Sequence, residues 1–144
     1  ITDELIVGTE IINNNVLVIG TKNIYLYNEQ GKLMWKNINY STVMNYVINR
    51  NEKKIYILFK KNDKFEIVCY NYNGKVSSIN KVPLNVEKIG IFNNRIFVYN
   101  EKTIYLLHND NCYKLNEGLI LDFYVDNKNI HILTKDKLIK GQIR

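Results

Sequence analysis

A unit of about forty residues recurs through this 144-residue chain, and no other feature narrows the possible folds as much. Residues 12–33 and 92–113 align without gaps at a constant offset of 80. They share Asn13/Asn93, Asn14/Asn94, Val18/Val98, Lys22/Lys102, Ile24/Ile104, Tyr25/Tyr105 and Leu26/Leu106. A copy between them runs Asn51-Glu52-Lys53-Lys54-Ile55-Tyr56-Ile57-Leu58-Phe59, with a loop about four residues longer, and continues as Tyr70-Asn71-Tyr72-Asn73-Gly74-Lys75. A fourth copy starts at Asn129-Ile130-His131-Ile132-Leu133. With Val16, Ile55, Ile96 and Ile130 as equivalents, the intervals are 39, 41 and 34 residues.

Each copy breaks into short strand-like runs. They are expected at 5–12, 15–20, 23–28 and 32–37; then 43–49, 54–60, 64–71 and 75–79; then 87–92, 95–100, 102–107 and 112–116; then 119–125, 129–134 and 137–143. Asn13-Asn14, Asn93-Asn94, Asp126-Asn127 and Asn73-Gly74 supply the positive-φ corners that tight hairpins need. Val16-Leu17-Val18-Ile19 and Ile55-Tyr56-Ile57-Leu58-Phe59 are apolar on both faces, so their strands are covered on both sides. No segment sustains a 3.6-residue apolar period, and the chain contains no Ala, a residue helices favour. The expected fold is all-β: antiparallel four-stranded blades of a β-propeller, about 3.5–4 of them, with repeats near 4–37, 43–79, 87–116 and 119–143 in one partial domain over 1–144. Fifteen strands leave an edge that a single-chain ring closes by pairing its termini. Either residues 1–6 supply a sixteenth strand or the unit is part of a larger propeller, and the spacing favours the latter, with the remaining blades from the native chain or a second copy.

The first copy carries a more specific pattern: Val18-Ile19-Gly20-Thr21, then Ile24-Tyr25-Leu26-Tyr27, then Gly31-Lys32-Leu33-Met34-Trp35. It resembles the pyrroloquinoline-quinone-like (PQQ-like) propeller repeat, in which a Gly-Thr strand end precedes a Tyr-bearing strand and a Gly-Lys turn with Trp four residues after the Gly. Leu26 and Asn28 depart from the family's usual Ala and Asp, and later copies lose the Trp, reading Gly74-Lys75-Val76-Ser77-Ser78 and Asn111-Cys112-Tyr113-Lys114. The resemblance implies structural roles for Gly20, Tyr25, Gly31, Trp35, Gly74 and Tyr105, with Trp35 as a wedge between blades. It is nearer to the scaffold and assembly members than to the quinoprotein dehydrogenases, which are longer and in several cases carry an adjacent Cys pair. It also tilts the compartment toward the outside of the cytoplasm.

Chemistry-bearing residues are sparse. Cys69 and Cys112 stand 43 apart without metal-ligand spacing, and both read as free thiols. His108 and His131 fall in different copies, and Asp3, Glu66 and Asp122 are isolated acids. GxGxxG, P-loop, HExxH and GxSxG patterns are absent. The expectation is a non-enzymatic interaction or scaffold module with no cofactor, no metal and an unidentified protein partner; a remnant of a quinoprotein-type dehydrogenase is the most distant alternative. Buried tyrosines are expected to place their hydroxyls at blade edges. No apolar run reaches the ~18 residues of a membrane span.

A net charge of +6 invites a polyanion reading, yet Lys outnumbers Arg 17 to 3, and Arg is the better bidentate phosphate ligand. Asn, Ile, Lys and Tyr, all encoded by A/T-rich codons, make up half the chain, so codon bias is an alternative source of the charge, weighted above a polyanion partner, and the count alone does not decide between them. One pattern stands apart from composition. Every second-to-third loop carries lysine: Lys22; Lys60, Lys61 and Lys64; Lys102; Lys135 and Lys137. Those seven form a possible anion-binding face for an anionic polymer, set against a less concentrated opposite face of Arg50, Arg95, Lys53 and Lys128.

Overall fold

The computed structural model describes residues 3–83, 86–108 and 111–143. Fifteen strands follow one another as β1 (Ile6–Ile12), β2 (Asn15–Gly20), β3 (Asn23–Tyr27), β4 (Leu33–Ile38), β5 (Thr42–Asn49), β6 (Lys54–Lys61), β7 (Lys64–Asn71), β8 (Val76–Val82), β9 (Lys88–Phe92), β10 (Arg95–Tyr99), β11 (Thr103–His108), β12 (Asn111–Glu117), β13 (Asp122–Val125), β14 (Asn129–Leu133) and β15 (Leu138–Gln142). They pair with sequence neighbours into three four-stranded antiparallel sheets and one of three strands. Each sheet is a propeller blade, and each expected run coincides with a strand to within a few residues. No helix among the described residues is long and apolar enough to cross a membrane.

The repeat is a repeat of register as well as of residues. Val18 faces Tyr25 and Leu17 faces Leu26 across β2–β3, and Val98 faces Tyr105 and Phe97 faces Leu106 across β10–β11. Side-chain alternation therefore sends equivalent residues to equivalent faces. Ile12, Leu17, Ile19, Ile24 and Leu26 of the first blade pack on Ile55, Ile57, Phe59, Val68 and Tyr70 of the second. A second core, holding Tyr56, Leu58, Ile67, Cys69, Ile96 and Val98, joins blades two and three, and a third joins blade three to the last sheet. Middle strands are sandwiched on both faces, which is why Ile55–Phe59 are all buried. The outermost strands alternate instead, β4 between exposed and half-buried and β8 between exposed and half-buried or buried residues.

The hairpin corners divide by chemistry. Asn13, Asn14, Asn93 and Asn94 all adopt positive φ, between 48° and 64°, as tight primed turns require. Asp126-Asn127 does not. There the Asp126 carboxylate accepts from the backbone N–H groups of Lys128 and Asn129, at 2.8 and 2.7 Å, so a side-chain-closed turn replaces the left-handed one. Asn73 is likewise outside the positive-φ set, and Gly74 alone supplies that conformation at its corner.

Residues 3–5 do not join the last sheet. Leu5 carbonyl accepts from the Thr21 N–H, and Glu4 accepts from both the backbone and the side chain of Asn23, so this segment caps its own blade. The rest of the proposed sixteenth strand, residues 1 and 2, lies outside the described residues. Packing is serial, from blade one to two, two to three, and three to the last sheet: a partial propeller.

Candidate functional site

Two strand ends give the blades two faces, and the side chains use them differently. Strand alternation places the β2–β3, β6–β7, β10–β11 and β14–β15 turns at the same end as the blade-to-blade connections. Backbone bonds tie the two together: Asn39 N–H donates to Lys22 carbonyl, Gly118 N–H to Lys102 carbonyl and Ile120 N–H to Glu101 carbonyl. Ser41 hydroxyl donates to the Lys60 carbonyl. Lys22, Lys60, Lys61, Lys64, Lys102, Lys135 and Lys137 are all exposed in or beside these turns. Their charge is not uniform, because Asp63, Glu101 and Asp136 stand exposed in three of the same four turns. Lys60 extends over the Phe65 ring, its ammonium 5.8 Å from the centroid.

The opposite end is a belt of corner-to-corner bonds. Arg50 donates to the Ile11 carbonyl and pairs with Glu10 at 3.2 Å. Asn51 amide donates to Asn94 oxygen, and Asn93 amide donates to Asn127 oxygen at 2.9 Å. Arg95 donates to the carbonyls of Asp126 and Asn127, at 3.2 and 2.7 Å. Both arginines thus bridge two corners, the Arg95 guanidinium fork fitted to two backbone oxygens and the Arg50 fork to one backbone oxygen and one carboxylate. Glu10 also accepts from the Tyr46 hydroxyl at 3.1 Å. Nothing in residue spacing announces these contacts.

Trp35 is half-buried between blades one and two. Its indole N–H donates to the Tyr72 carbonyl at 2.9 Å, and Asn37 amide donates to the Gly74 carbonyl at 2.6 Å. Gly74 has φ of 86°, and a Cβ there would stand 2.7 Å from the indole Cδ2, so the ring lies directly on glycine. Gly31 turns the β3–β4 corner at φ 80°. Gly20 closes β2 beneath Glu4, which accepts from the buried Tyr25 hydroxyl at 3.3 Å, and Tyr105 packs half-buried against the core of blades two and three. Tyr70 departs from the expectation for tyrosines: its hydroxyl is buried with no partner among the described residues, and burial pushes its pKa well up.

His131 Nε2 lies 3.0 Å from Asp126 Oδ2, within the turn that Asp126 closes. The N–H groups of Lys128 and Asn129, together with His131, hold the Asp126 carboxyl down at about 2. His108 ends β11 in another blade and is exposed. Cys69 and Cys112 are free thiols in the core between blades two and three, both pushed up by burial. No group of three or more His, Cys, Asp or Glu with metal-binding placement occurs among the described residues. Between blades two and three a polar cleft of about 460 Å³ opens, lined from blade two by Asn49, Glu52, Lys54, Tyr56, Cys69, Ser77, Ser78 and Asn80 and from blade three by residues that include Arg95 and His108.

Residues 1–140 match the Family of unknown function DUF5711. The chain belongs to that family. No curated protein matches it by sequence. Among solved structures it is similar to the Neurospora crassa Pan2 WD40 domain, with TM-score 0.58, 14% identity, 93% of this chain and 45% of that one covered. Kluyveromyces lactis Hsv2 gives TM-score 0.60 and 13% identity, over 99% of this chain and 47% of that one. BamB from Moraxella catarrhalis gives TM-score 0.56 and 12% identity, over 92% and 41%. These likenesses establish the β-propeller fold of this DUF5711 chain, which spans less than half the length of each of the three.

Proposed function

We propose that this chain is a non-enzymatic interaction module, a scaffold-type propeller of PQQ-like blades that meets a protein partner through its lysine-bearing turns. The observation that carries this reading is the division of charge between the two ends. Arg50 and Arg95 are engaged in holding blades together, while the seven turn lysines stand in solvent. Asp63, Glu101 and Asp136 among those lysines suit a partner of mixed charge, since exposed carboxylates in three of the four turns repel a uniform polyanion. The Gly-Lys-to-Trp35 segment supports the PQQ-like character of the blades.

An anionic polymer is the second reading, favoured by exposed lysines in every blade. Salt separates the two readings, because phosphate-type binding weakens steeply with ionic strength. On a polyanion column the protein is expected to elute below physiological salt. Retention there, abolished by Lys60→Glu, Lys61→Glu and Lys64→Glu together while Lys53→Glu and Lys128→Glu leave it intact, would replace the protein-partner reading with the polymer.

A further inference from the structure

The wedge between blades one and two has no counterpart between blades two and three. Leu26 pairs with Trp35 across β3–β4, and Cys69 pairs with Ser78 across β7–β8, so Ser78 holds the position of Trp35. On the facing blade, Tyr70 at the first junction corresponds to Leu107 at the second. Two large rings are thereby exchanged for smaller side chains. Blades diverge toward their outer strands, and here the divergence leaves the cleft of about 460 Å³. Small-molecule sites span roughly 300–1,000 Å³.

The wall of that cleft is polar where the first junction is apolar. Asn49 and Asn80, exposed by only 2% and 6%, are the buried polar residues among those described, and both line it. Asn80 occupies the place of Asn37, whose amide donates to Gly74 across the first junction. The Asn80 side chain makes no hydrogen bond among the described residues. Asn49 oxygen accepts from the Glu52 N–H at 3.2 Å, which leaves its amide hydrogens to the cleft. Lys54, half-buried on the same wall, forms no ion pair among the described residues. Lys54, the two asparagine amides and the half-buried Ser78 line the cleft together, against the single carboxylate of the exposed Glu52, an arrangement that an anion completes, because burying donors without acceptors is costly.

We propose that this cleft binds a small oxyanion-bearing solute, a carboxylate or a phosphate, with Lys54 as counter-charge and Asn80, Asn49 and Ser78 as hydrogen-bond donors. The site lies toward the strand end opposite the lysine-bearing turns and stands or falls separately from them. Titration calorimetry with inorganic phosphate and, separately, succinate, at matched ionic strength, tests it. At least one of the two should bind saturably below about 10 mM, the weak end of specific binding. Lys54→Met should weaken that binding at least tenfold, and so should Ser78→Trp, which refills the wedge position. The triple exchange of Lys60, Lys61 and Lys64 to Glu should leave it within twofold. Absence of saturable binding by either anion overturns the proposal, as does equal loss in the turn triple variant. If Ser78→Trp fails to fold, Lys54→Met decides alone, and undiminished binding in that variant rejects the site.

Discussion

Trp35, Gly74 and Tyr70 show what single residues contribute at a blade junction. Truncating Trp35 to Ala removes an indole packed on Gly74 together with its bond to Tyr72 carbonyl. The expected loss is about 3 kcal/mol, the low end for large aromatics because the ring is half-buried. Gly74→Ala should cost about 1–3 kcal/mol through its left-handed backbone, and more through the clash with the indole. The pair is coupled: Gly74→Ala should cost less in a Trp35→Ala background, and a strictly additive double mutant would show that the ring is not on the glycine. Tyr70→Phe tests the opposite case. Its hydroxyl is buried without a partner among the described residues, so deleting it removes a desolvation cost, and stability should hold or rise by about 1 kcal/mol. A fall in denaturant midpoint would mean the hydroxyl is bonded after all.

At the scale of hairpins, legibility followed turn chemistry. Asn-Asn and Asn-Gly corners flanked by apolar runs admit few backbone conformations, so all fifteen strands were readable from residue order. Asp126-Asn127 looked like another such corner, but an acid can close a turn with its own oxygens, and that option has no distinct pattern in the sequence. The belt of Arg50 and Arg95 was illegible for a related reason: its acceptors are carbonyls, which every residue carries. The cleft was written in plain residues as the loss of Trp at Ser78, yet its meaning depended on which face of β8 met the next blade. The Asp126 turn carries a pH prediction. Its folded pKa, about 2, lies below the ordinary value of 3.8, so its stabilising effect is complete above about pH 4 and is lost as pH falls toward 2. Asp126→Asn retains an oxygen for the backbone N–H groups but cannot titrate. The variant's acid unfolding limb between pH 4 and 2 should be shallower than that of the unsubstituted protein. Identical limbs would show that the carboxylate is not held down by the turn.

The whole molecule is a series of sheets joined by three separate cores, and such arrays distribute stability by neighbours. The second blade has a packed core on each face, and in β6 and β7 all of Ile55 to Phe59 and Ile67 to Tyr70 are buried. The last sheet has three strands and one such core, contributed by Val125, Ile130, Ile132 and Ile143, while Tyr124 and Leu138 on it are each 66% exposed. Amides open to exchange by local unfolding, whose free energy follows the apolar contact that must be broken. Native-state hydrogen exchange should therefore find β6 and β7 slowest, β10 and β11 next, and β14 and β15 fastest among the central hairpins. Lys54→Met and Ser78→Trp should alter protection in β7, β8 and β11 while leaving β2 and β3 unchanged, because the first junction has its own wedge in Trp35. Uniform protection across all four sheets would mean that the blades open as one cooperative unit, and the serial account of this partial propeller would then be wrong.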